Sequence, residues 1–317
     1  MTQIYTVTLS PSLDSATTTN KIYPEGKLRC TTPVFEPGGG GINVARAIVH
    51  LEGQATAIFP CGGATGEHLQ ALLVQEGVNI EAVTTQDWTR QNLHVHTEST
   101  GEQYRFVMPG AKLSAAELAL IGERLAAIPS GSLLVISGSL PPGVDTGSLR
   151  DLLQQAQRQG LRCILDSSGD ALAAGLEQGG LVLVKPNQNE LAALTGKVLD
   201  QPDAVLLAAR ALVERGSVEN VVVSLGPQGA LAVNRHQWVQ VVPPPVKKQS
   251  TVGAGDSMVG AMVMRLAQGA DLLDMARYGV AAGSAATLNQ GTCLCLKRDV
   301  ESLYHYLCQQ NVPLNHF

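Results

Sequence analysis

The sequence predicts an α/β protein: a mainly parallel sheet with helices on both faces, and a small second sheet inserted into it. Short apolar, β-branched runs alternate with longer helical patterns along most of the 317 residues, which is the rhythm of βαβ units. Those runs show no polar alternation, as strands covered on both faces require. Two stretches of period two interrupt the rhythm, and these predict the inserted sheet.

The elements follow in order. "IYTVTL" (4–9) opens as a strand, "GINVARAIVHL" (41–51) as a helix, "ATAIFP" (55–60) as a strand and "GEHLQALLVQEG" (66–77) as a helix. "LLVISG" (133–138), "RCILDSS" (162–168), "LVLVKPN" (181–187) and "NVVVSLG" (220–226) are strands, with helices in "LRDLLQQAQRQG" (149–160) and "AVLLAARALVERG" (204–216). Ligands of such sheets sit beyond the strand C-termini, so chemistry is expected at Asp14, Gly62, Ser139, Asp166, Lys185 and Ser224. The interruptions, residues 16–35 and 88–108, read as hairpins. In the second, Arg90, Asn92, His94 and His96 share one face, and Gln91, Leu93 and Val95 the other. In the first, Lys27 and Arg29 oppose Leu28 and Cys30. A sheet polar and basic on one side and apolar on the other suits a lid over an anionic ligand; an ordinary solvated face is the alternative. "VVPPPVKKQS" (241–250) is a stiff connector rather than a linker, no repeat appears, and residues 1–317 read as one domain.

Composition narrows the class. Apolar residues make up 44% and charged residues 15%, the balance of a compact globular chain rather than a disordered one. A net charge of −5 provides no broad basic field, so neither nucleic acid nor an anionic membrane is expected as a partner. The six cysteines form no C-x-x-C pair and read as reduced thiols in a cytoplasmic protein. The N-terminus lacks the basic start and apolar run of a signal peptide, and no apolar run is long enough to span a bilayer.

The most informative motif is "TVGAGDSMVG" (251–260). Gly253 and Gly255 let backbone approach a ligand, and the amides of a helix start form an anion site reinforced by the helix dipole. Asp256 placed there faces a hydroxyl while the amides face the charge of a transferring phosphoryl group: a general base beside an anion hole. A capping aspartate after a glycine turn is the alternative. Neither a P-loop nor a dinucleotide fingerprint is present. "PGGGGINVARA" (37–47) is a second glycine-rich helix entry, with Asn43 in its first turn able to hold hydroxyls in two directions; it reads equally as a turn without a ligand. "KPNQNE" (185–190) offers Lys185, Asn187 and Glu190. An amide and a carboxylate three apart suit a water-coordinated Mg²⁺, and they also suit a helix cap with a solvated lysine. "SLGPQGA" (224–230) suggests a nucleotide-phosphate loop. His94 and His96 read as polar face residues rather than a metal pair, since no Cys or carboxylate cluster accompanies them.

The order of these signals resembles the ribokinase-like family of sugar kinases: GGGG-I-N early, N-x-x-E in the middle, G-A-G-D late, and lid hairpins after the first and fourth strand regions. The resemblance runs from "TLSPSLD" to "GVAAGSAATLNQGT". The segments "YPEGKLRC", "DWTRQNLHVH", "ISGSLPPGV" and "VVVSLGPQGAL" place it nearest the branch that phosphorylates fructose 6-phosphate. The resemblance implies a three-layer sandwich with a β-sheet lid, and ATP-dependent transfer to the sugar's C1 hydroxyl. Asp256 would be the base, with the amides of Gly253, Ala254 and Gly255 holding the phosphoryl group. Asp14, Gly39 and Asn43 would bind sugar hydroxyls; Arg90, Arg105, Lys27 and Ser139 would surround the 6-phosphate. Glu190 and Asn187 would organise Mg²⁺, and Lys185, Ser224, Gly226, Gly229, Val280 and Ser284 would line ATP. Many relatives bind K⁺ through loops matching Ser250, Val252, Ala286, Asn289, Gly291 and Cys293. Ser250 stands where many members carry Asp, a change that weakens a cation site.

A dianionic substrate phosphate needs several cations, and Lys27, Arg29, Arg90 and Arg105 could supply them. Kinases of tagatose 6-phosphate or fructose 1-phosphate would need them equally. A non-catalytic binding protein is disfavoured by the intact Asp256, Gly253, Gly255 and Glu190. The apolar set Leu28, Cys30, Leu93 and Val95 is too large to leave wet, and the family's pairing of lids implies a homodimer through that face.

Overall fold

A computed structural model describes residues 2–289 and 293–317. The chain begins β1 (Ile4–Val7), β2 (Ser12–Thr19), β3 (Val34–Gly38), α1 (Gly40–His50), β4 (Thr56–Cys61), α2 (Gly63–Gln75), β5 (Asn79–Thr84), β6 (Arg90–Thr97) and β7 (Gln103–Phe106). It continues α3 (Ala115–Ala126), β8 (Leu133–Ser137), α4 (Thr146–Arg158), β9 (Arg162–Asp166), α5 (Gly169–Gln178), β10 (Leu181–Val184), α6 (Gln188–Thr195) and α7 (Pro202–Glu214). It ends β11 (Val218–Ser224), β12 (Ala230–Asn234), β13 (Gln237–Val241), α8 (Ala254–Ala267), α9 (Leu272–Ala286), α10 (Lys297–Gln309) and β14 (Asn315–His316).

The large sheet has the order β14-β13-β12-β11-β10-β9-β8-β1-β4-β5. It is parallel from β5 through β11 and antiparallel at the β12–β14 edge. Its central strands are buried along their length, as in Leu133–Ser137 and Leu181–Val184, because helices cover both faces. One face packs against α1, α2, α8, α9 and α10, the other against α3, α4, α5 and α7, so two apolar clusters sandwich the sheet. This is the predicted three-layer arrangement. Strands β5, β13 and β14 lie at the sheet's ends, where half-buried strands carry a weaker apolar signal, and the sequence pattern does not mark them; β12 is buried but short, and it follows directly on the glycine turn after β11.

The path outward from β1 goes first to β4 and β5, then returns to the other side of β1 at β8 and continues to β11. That reversal opens a crevice beyond the C-terminal ends of β1 and β8. The N-terminus of α1 lies there: a Cβ on Gly40 would sit 2.4 Å from the Ser137 hydroxyl.

The small sheet, in the order β3-β2-β6-β7, matches the expected insertion with one correction. Strands β2 and β6 pair in parallel and so join the two interrupting stretches in one sheet, as expected. Within 16–35, strand structure covers only the ends, and residues 20–33 make a single bridge, Thr19 to Cys30. The physical reason is local: Pro24 and Pro33 lack an amide donor and Glu25 is left-handed (φ 61°), so no ladder continues through the segment. Lys27, Leu28 and Arg29 therefore occupy a loop, and the alternating faces expected of them are not formed. In β6 and β7 the expected alternation holds: register pairs Asp14 with Asn92 and Glu36, Ala16 with His94, and His94 with Arg105 on one face. Among the described residues, no helix is long and apolar enough to cross a membrane.

Candidate active site

Helix α8 starts at the crevice. Its first residue follows Gly253, held at φ 70°, a left-handed geometry that glycine adopts without strain. The helix's own ladder begins with Ser257 donating to the Gly253 carbonyl (2.8 Å), so the amides of Gly253 to Asp256 precede it and are available to an anion. Asp256, in that first turn, does not act as a helix cap; its Oδ2 accepts from Asn43 Nδ2 at 2.9 Å. Its carboxylate keeps a partial path to solvent but is densely surrounded by protein. That burial, with the nearby Asp166 carboxylate, lifts its pKa to about 6 against the pull of Asn43, Lys185 and Arg46. A carboxylate so tuned is mostly ionised at neutral pH and holds a transferred proton better than an ordinary aspartate.

Lys185 stands immediately after β10, buried rather than solvated, 3.4 Å from Asp166 Oδ1. Burial opposes its charge, but Asp166, Asp256 and Glu190 outweigh that cost and its pKa is raised. A Cβ on Gly255 would lie 3.5 Å from Lys185 Nζ, so a fixed cation overlooks the α8 amides. Negative charge arriving there meets both.

Across the crevice, Gly39 has a positive φ of 115° and ends the chain's turn into α1. The glycine run is needed for approach of protein to protein: a Cβ on Gly38 would sit 2.5 Å from Asp14 Oδ2 and from Ser12 Oγ. The packing brings Asp14 and Asn43 to the crevice. Asp14 Oδ1 accepts from Ser12 Oγ (2.7 Å) and Asn92 Nδ2 (2.8 Å), and His94 Nε2 lies 4.0 Å from Oδ2. Burial lowers the His94 pKa, with Arg105 adding to the effect and Asp14 opposing it. The other ring nitrogen, Nδ1, is buried without a partner.

The cations behave differently from one another. Arg90 is half-buried and donates to the Met108 carbonyl (2.9 Å) and the Ser10 carbonyl (3.1 Å), while its Nε has no partner. Arg105 is exposed and donates to Gln103 Oε1 (3.2 Å). Lys27 and Ser139 are exposed, and among the described residues no side-chain hydrogen bond ties them to the others.

Asn187 and Glu190 form a reciprocal capping box at the start of α6: Asn187 Oδ1 accepts from the Glu190 amide and Glu190 Oε2 from the Asn187 amide, each at 2.8 Å. The capping alternative is therefore realised. Among the described residues no group of three acidic or imidazole side chains gathers to cage a metal. The donor set fits Mg²⁺ held through water and nucleotide phosphates, for which the Oε1 oxygen of Glu190 remains.

Ser224 ends β11, its amide donating to the Pro186 carbonyl (3.0 Å), and a short 3₁₀ turn carries Gly226 to Gly229. Gly229 is left-handed (φ 82°) and pressed against the Val241 carbonyl. Ser284 is half-exposed, whereas Val280 is only 1% exposed and lies in the core, so Ser284 is the residue of that pair that reaches the surface. The segments expected to hold K⁺ adjoin: Gln249 donates to the Thr287 carbonyl (2.8 Å), Val252 to Ser250 Oγ (3.2 Å), and Asn289 Nδ2 to the Leu294 carbonyl (2.8 Å). Ala286 is buried at the end of α9, and Cys293 Sγ lies 3.9 Å from Glu36 Oε1. Gly291 lies outside the described residues.

Sequence reasoning overlooked Asn92 and His94 as partners of Asp14, and Arg46 altogether. The first two alternate with Arg90 on one strand face. Arg46 lies three positions after Asn43, a helical neighbour whose main partner, Glu76, is 30 residues away.

The family model described as pfkB family carbohydrate kinase matches residues 7–299. The ATP-dependent 6-phosphofructokinase isozyme 2 of Escherichia coli is 64% identical over 307 residues, 97% of this chain and 99% of that one. Phosphofructokinase-2 from Escherichia coli, solved in complex with potassium, superposes with a TM-score of 0.95 at 64% identity over 98% of this chain and 100% of that chain. The tetrameric inhibited form of the same enzyme gives 0.94 at 63% identity over 98% and 100%. Matched over residues 7–299 and sharing the ribokinase-like sandwich of these relatives, this chain belongs to the pfkB family of carbohydrate kinases.

Proposed function

We propose that the protein is an ATP-dependent 6-phosphofructokinase that phosphorylates the C1 hydroxyl of fructose 6-phosphate. The observation that carries this reading is the pairing of Asp256 and Asn43 at the mouth of the α8 amides, on a chain 64% identical to a named 6-phosphofructokinase. Asp256 takes the C1 proton as the C1 oxygen forms a bond to the γ-phosphorus; the bond to the β-bridging oxygen breaks and ADP leaves. The loose transition state spreads charge over the equatorial oxygens, and the amides of Gly253, Ala254 and Gly255 with the Lys185 ammonium stabilise it. Asp14, Gly39 and Asn43 hold the sugar hydroxyls. Arg90, Arg105, Lys27 and Ser139 receive the 6-phosphate, Arg90 through its unpartnered Nε and by exchanging a carbonyl contact for the phosphate.

ATP would lie along Lys185, Asn187, Ser224, Gly226, Gly229 and Ser284, and Glu190 would help to hold Mg²⁺, which would supply charge neutralisation on the nucleotide phosphates. Potassium would be held by the Ser250–Val252 segment together with Ala286, Asn289 and Cys293. The small sheet acts as a lid on a single domain, and the location is cytoplasmic. The sheet carries Tyr104 (38% exposed) and Phe106 (46% exposed), cross-strand neighbours of Val95 and Leu93. This set differs from the one expected from sequence, since Val95 is already buried and Cys30 is in the loop. It supports a homodimer through the lids.

ADP release from purified protein tests the reading across fructose 6-phosphate, fructose 1-phosphate, tagatose 6-phosphate, fructose and ribose. Preference for fructose 6-phosphate is expected. Preference for either sibling phosphate reassigns the substrate, and preference for a neutral sugar overturns the role of the basic residues. Light scattering at micromolar concentration is expected to give a dimer; a monomer with intact activity removes the lid interface.

A further inference from the structure

An ion pair between a buried arginine and a half-buried glutamate stands behind the proposed base and takes no part in the mechanism above. Arg46 is 3% exposed. Its Nε and Nη2 donate to the two carboxylate oxygens of Glu76 at 2.7 and 2.9 Å, and its Nη1 donates both to the Pro37 carbonyl (2.9 Å) and to Asn43 Oδ1 (3.2 Å). Glu76 ends α2, and His50 Nε2 lies 3.7 Å from it. Asn43 in turn donates to Asp256. We propose that Arg46, locked by Glu76, is a positioning residue that fixes the amide of Asn43 with its NH₂ toward Asp256. This inference rests on the reading of Asp256 as the kinase's general base.

The reason is the chemistry of the two neighbours. A guanidinium only donates, so the amide atom facing it must be oxygen. A carboxylate only accepts, so the atom facing it must be the NH₂. With Arg46 in place both demands agree. When Asp256 takes up a proton, the second demand disappears, and an unrestrained amide would turn over and accept from the new O–H. Arg46 forbids that turn, because it would face NH₂ to guanidinium. The protonated base therefore gains no compensating hydrogen bond from Asn43, and it gives its proton up readily between turnovers.

The groups that face Asp256 are Asn43 and Arg46 from α1, Asp166 from β9 and Lys185 from β10, and of these only Asn43 has an orientation to choose. Glu76 is itself held well below the usual carboxylate range, at about 2, since hydrogen bonds from His50 and Arg46 and their charge overcome burial. The pair thus remains charged throughout the working pH range, and the restraint does not switch off.

The test uses the full-length protein and two readouts: the pH profile of kcat, and the carboxyl ¹³C titration of Asp256 in aspartate-labelled protein, assigned by its loss in Asp256→Asn. In Arg46→Met the Asp256 titration should rise by about one pH unit, lowering kcat about fivefold at pH 6 and progressively less toward pH 8. Glu76→Gln keeps the Arg46 charge but loosens its lock, so the titration should rise there too, by less than in Arg46→Met. Arg46→Lys, which keeps a donor-only cation, should restore the wild-type titration, and with Glu76→Gln it decides the matter if Arg46→Met does not fold. A purely structural role predicts equal losses at every pH with no shift of the titration; that outcome, or a fall of the titration in Glu76→Gln, which Arg46 acting through its charge alone would give, overturns the proposal. Wild-type protein inactive on fructose 6-phosphate would sink the kinase substrate assignment alone, because the carboxyl titration reads the Arg46 restraint without substrate.

Discussion

The two sheets meet at one crevice and are built to different standards. On the large sheet, Asp256, Asn43, Arg46 and Glu76 are linked by a continuous chain of hydrogen bonds, and Lys185 is paired with Asp166. On the small sheet every residue of β7 is exposed, and Arg90 Nε and His94 Nδ1 are buried without partners. In the proposed mechanism the groups that must be in place when charge moves are preorganised by α1, α8 and the residue after β10. The groups proposed to recognise the substrate would be held on a sheet with spare hydrogen-bonding capacity for the substrate to fill.

This division predicts that damage to the two regions appears in different kinetic constants. The largest effect is expected from Asp256→Asn: kcat should fall by ~10²–10⁴ with ATP affinity nearly intact. A kcat within fivefold of wild type, measured at saturating substrates, would remove the base from the preorganised half. Arg90→Ala probes the other half. Its phosphate contact acts in ground and transition states alike, so KM for fructose 6-phosphate should rise about 10- to 150-fold while KM for MgATP stays within about twofold. A loss confined to kcat would erase the distinction between the regions.

The pH profile sharpens it further. Because the pKa of Asp256 is raised to about 6, the proton-accepting form is lost as pH falls through that value. The kcat profile should then be half-maximal near pH 6 and about a tenth of its plateau at pH 5. A flat profile down to pH 5 would mean that the base is an ordinary exposed carboxylate. The smallest effect is expected from Glu190→Gln, which removes a cap carboxylate rather than a metal cage. It should raise the Mg²⁺ concentration for half-activity about two- to tenfold and change stability by less than about 0.5 kcal/mol, since a glutamine oxygen can still accept from the Asn187 amide. An unchanged Mg²⁺ titration would leave the capping box as the whole role of Glu190.

Much of the large sheet was legible because its signals are local. A buried parallel strand is a short apolar run, and a glycine pair before an aspartate marks a helix start with exposed amides; both depend on neighbours in sequence. The candidate site was legible to the same degree: Asp256, Asn43 and Lys185 sit at element ends that the pattern identifies. What could not be read was long-range. The bond between Asn92 and Asp14 joins residues 78 apart, and Arg46 meets Glu76 across 30. No period or motif encodes such a partner. The loop at 20–33 failed for another reason: alternation of Lys27, Leu28, Arg29 and Cys30 imitates a strand, but the two prolines and left-handed Glu25 prevent one.

The parallel pairing of β2 with β6 also sets an order of assembly. Between those strands the chain must first build α1, β4, α2 and β5, so the closure of Ser12 against Arg90 waits on elements of the other sheet. Contacts of such high sequence separation form late, since the entropy of closing the loop is repaid only once the intervening segment is compact. During refolding strands β8 to β11, whose neighbours are sequential, should gain amide protection before β2 and β6 do. The molecule would thus pass through a stage with a formed α/β body and no small sheet, and if that sheet recognises the sugar as proposed, substrate recognition would be the last property acquired as the chain folds.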